Sequence, residues 1–211
     1  MPCHASDVPC HAGGTDEINH DTTTNVWYAG VLRIGIQIRS GDKVIEKEAK
    51  GTVQQQVLTM NDVLKPSAHF FKCAERLEAA FATPGQKVIW FLNSDSQAVR
   101  QAAKAVYGDK LLTDDSLGVV HAQRGLIKQD ATEGKLKWAL QHSLGSILTL
   151  SLTDVQIITA KSGFGKTSAW LADRQDRMYE LSSGNTPKWI DQCNPQRPVP
   201  NARSSQTWSG I

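Results

Sequence analysis

The feature that most constrains the fold of this chain is the alternation of short apolar strands with amphipathic helices. The β-branched run 31–38 predicts a strand that stops at Arg39, and the run 88–92 predicts a second, buried strand. Between them, apolar residues at helical spacing over 66–81 predict a helix. Strands that alternate with helices at this spacing form parallel sheets with crossover helices on their faces. The sequence therefore predicts an α/β fold built on a Rossmann-like parallel sheet.

The second half of the chain continues the same pattern. A helix capped by Ser94 or Asp95 is expected next, and its apolar stripe consists of Val99, Ala102, Ala103 and Val106. Short strands are predicted at 110–112 and 117–120 and a further strand at 155–158. A longer helix is predicted from Leu136, Leu140, Leu144 and Ile147, and a last helix from Thr167 to about Leu181.

The two ends of the chain differ in composition from its centre. Residues 1–25 hold acidic residues without Lys or Arg, and two Cys-His pairs, Cys3-His4 and Cys10-His11, that suit a soft metal such as zinc or copper. Their lack of periodicity favours a disordered leader. The proline-containing stretch 186–211 is predicted to be a tail, which leaves 26–185 as one domain. The four scattered cysteines leave the redox compartment open.

Charge and hydropathy exclude several classes of function. The net charge of +2 is uninformative as a sum, but residues 1–25 carry −4 and leave +6 for the rest of the chain. This mildly basic body suits an anionic ligand but lacks the strong basic footprint of a duplex-binding protein, so we expect no nucleic-acid partner. No window approaches 18 consecutive apolar residues, and residues 1–25 lack a basic and then apolar signal pattern. We therefore expect no membrane segment and no targeting signal in this chain.

Polar clusters follow three of the predicted strands. They span residues 39–43, 93–96 and 161–167. Ligands of open parallel sheets bind beyond the carboxyl ends of the strands, so we expect these clusters to form one site.

The stretch 160–167, AKSGFGKT, differs from the P-loop pattern only in having alanine where the strict motif has glycine. Nucleotide hydrolysis also needs a magnesium-holding Asp after a second apolar strand, which here would require a permuted domain. Under either interpretation, the backbone N–H groups of Ser162, Gly163, Phe164 and Gly165 at a helix start can cradle a phosphate.

Taken together, the runs 34–43, 90–95 and 153–169 resemble the three short motifs of the GDP-fucose-dependent fucosyltransferases. This superfamily contains α1,2-, α1,6- and protein O-fucosyltransferases. The resemblance implies the carboxyl-terminal, donor-binding lobe of a GT-B glycosyltransferase. It also implies transfer of fucose from GDP-fucose to a glycan or protein hydroxyl with inversion, without a metal and without a cofactor beyond the donor.

The resemblance gives residues of the first motif specific roles. Arg39 falls on the arginine that grips the β-phosphate, where a guanidinium stabilises the charge that builds as GDP departs. Its alternative is a surface ion pair with Asp42. Asp42 would orient the loop, Lys43 is a possible proton relay, and Glu46 or Glu48 takes the general-base role unless both belong to a solvated charge run.

The other two motifs supply nucleotide contacts. Asp154 matches a carboxylate associated with guanine recognition, with a loop or cap residue as its alternative. Asp95 is a donor-site residue or a helix N-cap. The stretch Ser162-Gly163-Phe164-Gly165 becomes the loop at the pyrophosphate, and Lys166 is an extra phosphate contact or a solvent-facing residue.

The chain also departs from the family pattern. Gln37 replaces the first-motif histidine and Ser40 the second arginine. The 211 residues leave no room for an acceptor lobe, so a non-catalytic nucleotide-sugar or carbohydrate-binding remnant is the alternative function, and a permuted P-loop NTPase is the second. A Golgi or secretory-pathway location is expected if the chain belongs to a longer anchored protein.

Overall fold

A computed structural model provides the fold of the chain. It describes residues 30–41, 60–114, 133–173, 177–183 and 187–199. The predicted leader 1–25, the predicted strand 117–120, and Asp42, Lys43, Glu46 and Glu48 lie outside these residues. No helix within the described ranges is both long and apolar enough to cross a membrane.

Five strands form one sheet in which every pairing is parallel. They are β1 (Val31–Ile38), β2 (Lys87–Ser94), β3 (Leu111–Leu112), β4 (Val155–Thr159) and β5 (Met178–Leu181). Their order across the sheet is β3-β2-β1-β4-β5. The chain starts in the centre, moves outward through β2 and β3, and then returns to pair β4 with the other side of β1. The predicted α/β, Rossmann-like fold is confirmed.

The first face of the sheet carries the main hydrophobic core. Alternate residues of β1, Ile34, Ile36 and Ile38, are almost completely buried on this face, as strand periodicity requires. They belong to one apolar cluster with Trp90 and with the helices α1 (Met60–Leu64), α2 (Ala68–Phe81) and α3 (Gln97–Tyr107). The predicted α3 stripe is correct except at Val106, which is 46% exposed.

The second face of the sheet is covered by α4 (Glu133–Ser151) and α5 (Gly163–Ala172). The helix predicted from the leucine spacing is present, but these leucines are not its buried face, because Leu140 and Leu144 are more than half exposed. The buried residues of this helix are instead Ala139 and Leu150. A small side chain such as Ala139 lets a helix approach its neighbours closely, and leucine periodicity did not reveal that face.

The close fit of α4 also requires a glycine in the sheet. A Cβ on Gly35 in β1 would stand 2.6 Å from Thr153 Oγ1 and 3.0 Å from Leu150 Cδ2. Real Cβ atoms do not approach other atoms so closely, so Gly35 fixes where the carboxyl end of α4 rests on β1.

The carboxyl-terminal part of the chain corrects two further predictions. The last predicted helix ends early: Asp173 adopts a left-handed conformation with φ 48° and caps α5, and 178–181 form strand β5. Residues 187–199 pack on the domain and do not form a loose tail. The short helix α6 (Trp189–Gln192) precedes Cys193, which forms a disulfide with Cys73 of α2, and Val199 N–H donates to the Met178 carbonyl at 2.8 Å.

Candidate functional site

The topology places the switch point of the sheet at the carboxyl ends of β1 and β4, and we call this region the crevice. The strand order reverses between these two strands, because the chain leaves β1 toward β2 but returns on its other side to form β4. In open α/β sheets, ligands bind at such a switch point because the loops on its two sides diverge. The loop after β1 begins with Arg39, and the turn after β4 consists of Ala160, Lys161 and Ser162.

The backbone of Arg39 is anchored to strand β4. Its N–H donates to Thr159 Oγ1 at 2.9 Å, and the same hydroxyl donates to the Gln37 carbonyl at 3.0 Å. Thr159 therefore joins the ends of β1 and β4 where their backbone ladder stops. The Arg39 side chain is exposed at the mouth of the crevice.

Asp95 holds the loop that follows Arg39. Its two carboxylate oxygens accept hydrogen bonds from the backbone N–H groups of Ser40 at 2.6 Å and Gly41 at 3.2 Å. The helix N-cap predicted at Ser94 or Asp95 is wrong, because Ser96 is the N-cap of α3 and its Oγ accepts from Val99 N–H. A carboxylate that accepts two amides is a loop-positioning group. The first and second motifs thus meet in space, as the sequence predicted.

The start of α5 forms the other side of the crevice. Ser162 is its N-cap and its Oγ accepts the Gly165 N–H, so the helix begins at Gly163 and not at Thr167 as predicted. The Ser162 N–H itself donates to the Thr159 carbonyl. Of the four predicted phosphate-binding amides, two are therefore used inside the turn. The other two, the amides of Gly163 and Phe164, lie in the first turn of α5, where helix N–H groups have no acceptor within the helix.

A tight contact fixes α5 against the sheet. An added Cβ at Gly165 would lie 2.8 Å from Ile158 Cβ and 2.9 Å from Gln37 Oε1. The Gln37 side chain is only 4% exposed, and its Oε1 accepts the Thr159 N–H at 3.1 Å. Gln37 therefore contacts both β4 and α5 from its place in β1. Gly165 allows the helix to start this close to the strands because it has no side chain.

Lys166 does not extend into the crevice. Its side chain is 1% exposed, and its Nζ lies 3.9 Å from Glu180 Oε1 on strand β5. Thr167 Oγ1 donates to the Gly163 carbonyl at 2.9 Å. A P-loop needs this lysine on the phosphates and this hydroxyl on magnesium, and both side chains have internal partners here. The solvent-facing alternative for Lys166 is wrong for the same reason.

Asp154 lies at the amino-terminal end of β4, opposite to the end at which the crevice lies. It precedes β4 and forms a two-pronged ion pair with Arg33, whose Nε and Nη2 donate to its oxygens at 3.1 and 2.9 Å. Since a strand rises about 3.3 Å per residue, the five residues to Thr159 correspond to about 17 Å. The sequence-based interpretation that Asp154 joins the nucleotide site is not matched by this geometry.

Sequence reasoning missed Thr159 at the crevice, whereas Lys161 belongs to the predicted polar cluster 161–167. Thr159 is the last residue of β4, where a hydroxyl can replace a ladder acceptor. Lys161, in the turn after β4, is exposed and adopts a positive φ of 66°. The true start of α5 was readable from Ser162, since serine followed by small residues is a common N-cap signal.

No cluster of three or more His, Cys, Asp or Glu side chains able to hold a metal occurs within the described part of the chain. The two Cys-His pairs of the leader lie outside it. Searches of the chain against models of known protein families, curated proteins and solved structures found no match.

Proposed function

We propose that this domain binds the donor of a fucosyltransferase-like glycosyltransferase, with the pyrophosphate of GDP-fucose in the crevice between β1 and β4. The observation that carries the proposal is the convergence of two groups at the switch point. The exposed Arg39 side chain follows β1, and the Gly163 and Phe164 amides at the start of α5 follow β4. Helix N-termini favour anions because their N–H groups and the helix dipole present positive charge.

The chemistry expected of such a site is a direct displacement. A deprotonated acceptor hydroxyl attacks C1 of fucose on the face opposite GDP, which inverts the configuration there. The bond from C1 to the β-phosphate oxygen breaks, and its electron pair stays on GDP. Arg39 and the Gly163 and Phe164 amides would stabilise that charge, so the step requires no metal from these residues. Glu46 or Glu48 remains the proposed base, with Asp42 and Lys43 as its neighbours.

The disulfide supports a location for this activity. Cys73 and Cys193 are separated by 120 residues and are joined in the fold. Disulfides persist mainly in oxidising compartments such as the secretory pathway. We accordingly propose that the domain works there, and that its acceptor is a glycan or a glycoprotein.

A second function is favoured by a specific observation. Gln37 in the first motif and Asp95 in the second both accept hydrogen bonds from backbone amides within the domain. A site that retains phosphate contacts but has fewer nucleotide contacts would suit a non-catalytic nucleotide-sugar-binding protein. The positions of Lys166 and Thr167 disfavour the permuted P-loop NTPase.

Thermal unfolding with GDP tests the proposal, since a ligand that binds only the folded state raises the unfolding temperature. GDP without magnesium should raise the Tm of the wild type, and Arg39→Ala should abolish the shift. Arg197→Ala is the matched control, because Arg197 is an exposed arginine in the segment that packs beside the start of β5. A shift that requires ATP or GTP with magnesium and survives Arg39→Ala would overturn the assignment.

Turnover separates the enzyme from the binding protein. Release of GDP from GDP-fucose in the presence of a panel of glycan and glycopeptide acceptors is expected for the enzyme. GDP binding without turnover on the complete panel would favour the non-catalytic alternative.

A further inference from the structure

The outer surface of α4 is apolar although it is exposed. Leu140, Leu144, Leu148 and Leu152 are each more than half exposed, and we call these four residues the leucine ridge. Leu152 directly follows α4, and its N–H still donates to the Leu148 carbonyl at 3.2 Å, so the helical spacing continues to it. A surface helix of a globular protein normally has charged and polar residues on its exposed side. The leucine ridge therefore requires an explanation outside the core of the domain.

No charged residue accompanies the leucine ridge along the helix. Between Lys137 and Asp154 the sequence contains no Asp, Glu, Lys or Arg. The neighbouring helix α5 adds only Lys166, whose side chain is buried. The centres of protein interfaces are depleted of charged residues in the same way. In a two-fold dimer the same patch lies on both subunits, so a charged patch would face its own charge. This surface avoids that repulsion and is compatible with a second copy of itself.

The spacing of the leucine ridge gives it a shape that can pack against itself. Side chains four residues apart form a continuous ridge along a helix, and two such ridges interdigitate in the commonest mode of helix packing. The adjacent row of α4 consists of residues 141, 145 and 149, with Gly145 at its centre. Because Gly145 has no side chain, this row forms a groove beside the ridge. The ridge of one copy can enter the groove of the other, and the two-fold axis repeats the contact.

Gly145 independently indicates a close contact with another chain. It lies inside α4, and an added Cβ would meet nothing within 4 Å among the described residues. Glycine is a poor helix former compared with alanine, so it weakens α4 at this position. Packing against the described part of the chain does not require it, in contrast to Gly35 and Gly165, where an added Cβ would clash. A glycine allows the backbone of a partner helix to come near.

The size of the leucine ridge matches a small dimer interface. Four leucines that are each more than half exposed present an apolar patch on the order of 400 Å², which is typical of functional patches on protein surfaces. A two-fold contact covers this patch and the row of Gly145 on both chains, so the buried total reaches about 1,000 Å². Specific interfaces begin at about this size. A contact near this limit is expected to be reversible.

We propose that two copies of the chain associate through the leucine ridge, which packs in the row of Gly145 of the other copy. The proposal goes beyond the nucleotide site and does not rest on it, because the crevice lies at the strand ends and the ridge on the outer side of α4. The size of the contact indicates a dissociation constant on the order of 1–10 µM. Association stabilises the folded state only at concentrations above this constant, so substitutions on the ridge should barely affect the stability of the more dilute protein.

Sedimentation equilibrium of the intact chain, from well below to well above the expected dissociation constant, measures the association. Every sample carries Cys3→Ser and Cys10→Ser, so that no disulfide between these residues joins two chains. Leu144→Gln/Leu148→Gln should weaken the dimer at least tenfold, because each substitution occurs twice in a two-fold contact. Val106→Gln is the matched control and should associate like the wild type. Val106 is 46% exposed and lies on α3, on the other face of the sheet.

Gly145→Leu distinguishes specific packing from general apolar adhesion. The substitution adds apolar surface, so adhesion alone would strengthen the association. In the proposed contact, the new side chain occupies the space that a leucine of the partner needs. The dimer should therefore weaken at least tenfold. The Tm of the dilute variant should rise, because leucine favours helix more than glycine does, and this rise shows that the variant is folded.

Four results would overturn the proposal. The first is a wild type that is monomeric over the complete concentration range. The second is a dimer that Leu144→Gln/Leu148→Gln does not weaken, which would place the contact on another surface. The third is a dimer that Gly145→Leu strengthens or leaves unchanged, and the fourth is equal weakening by Val106→Gln.

Discussion

At the scale of single residues, the crevice depends on side chains whose roles are mostly structural. Gln37, Asp95 and Thr159 hold the strand ends and the Arg39 loop in place. These contacts hold the loop that carries Arg39 close to the turn that leads into α5. Local sequence could suggest Arg39, because an arginine that closes a buried strand at a ligand edge is conspicuous. It could not assign Asp95, since its amide partners lie on a loop more than 50 residues away.

Gly165 tests the close contact of α5 with the sheet. Gly165→Ala should lower the free energy of unfolding by about 1–3 kcal/mol, because the added methyl group overlaps Ile158 and Gln37. Gly145→Ala should instead raise it by up to about 1 kcal/mol, because that glycine has open space and alanine is the better helix former. Urea unfolding of both variants measures the difference. Equal effects would show that α5 does not rest on the strands as described.

His69 should make stability depend on pH. Burial lowers the pKa of this histidine from its ordinary value of 6.5, although a hydrogen bond to the Ser182 carbonyl acts in the opposite direction. The folded state therefore takes up its proton less readily than the unfolded chain does. This contribution to stability is complete above pH 6.5 and is lost as the pH falls below that value.

The measurement is urea unfolding between pH 5 and 8 for the wild type and for His69→Gln, in which the side chain stays neutral. The variant should lose less stability on acidification than the wild type. An identical pH dependence in the two proteins would contradict the assignment to His69.

At the scale of elements, the strands could be predicted from sequence better than the faces of the helices. Apolar runs identified β1, β2 and β4 correctly, because central parallel strands are covered on both faces: β4 is buried at every position and β1 at most positions. Strand β5 was assigned to a helix, because the four residues Met178–Leu181 are too few to distinguish the two-residue repeat of a strand from the 3.6-residue repeat of a helix. Helix α4 was found, but its leucines indicated the wrong face.

Two substitutions on α4 measure which face is buried. Ala139→Leu should lower the free energy of unfolding by about 1–3 kcal/mol, because Ala139 is 4% exposed and its surroundings are closely packed. Leu144→Gln should change it by no more than about 0.5 kcal/mol, because this leucine is 51% exposed. All three residue types, Ala, Leu and Gln, favour helix similarly, so helix propensity does not explain the difference. A larger loss of stability in Leu144→Gln than in Ala139→Leu would show instead that the leucine side of α4 is buried.

At the scale of the whole molecule, the disulfide and the segment 187–199 define how far the domain extends. The prolines of this segment indicated a tail, yet it is held by Cys193, by the Val199 backbone, and by the Pro195 carbonyl, which accepts from Tyr179 Oη at 3.1 Å. Cysteine spacing alone could not pair Cys73 with Cys193, because that pairing depends on how α2 and the carboxyl-terminal segment pack.

Removal of the disulfide tests this extension. The Cys73→Ala/Cys193→Ala variant should lose about 2–5 kcal/mol of stability, because the cross-link closes a long loop in the unfolded chain. Peptide mapping of the non-reduced protein should recover the linked Cys73 and Cys193 peptides. Full alkylation of both thiols in the oxidised, native protein would contradict the pairing.

The central claim is that phosphate binds at the switch point between β1 and β4. The most direct measurement is a titration of the isotopically labelled protein with GDP, without magnesium, followed by amide NMR. We expect the largest shifts at Gly163 and Phe164, with smaller ones at Arg39 and Ser40, and we expect Arg39→Ala to weaken GDP binding. Absence of binding, or shifts centred on Arg33 and Asp154 near the other end of β4, would contradict the proposed phosphate site.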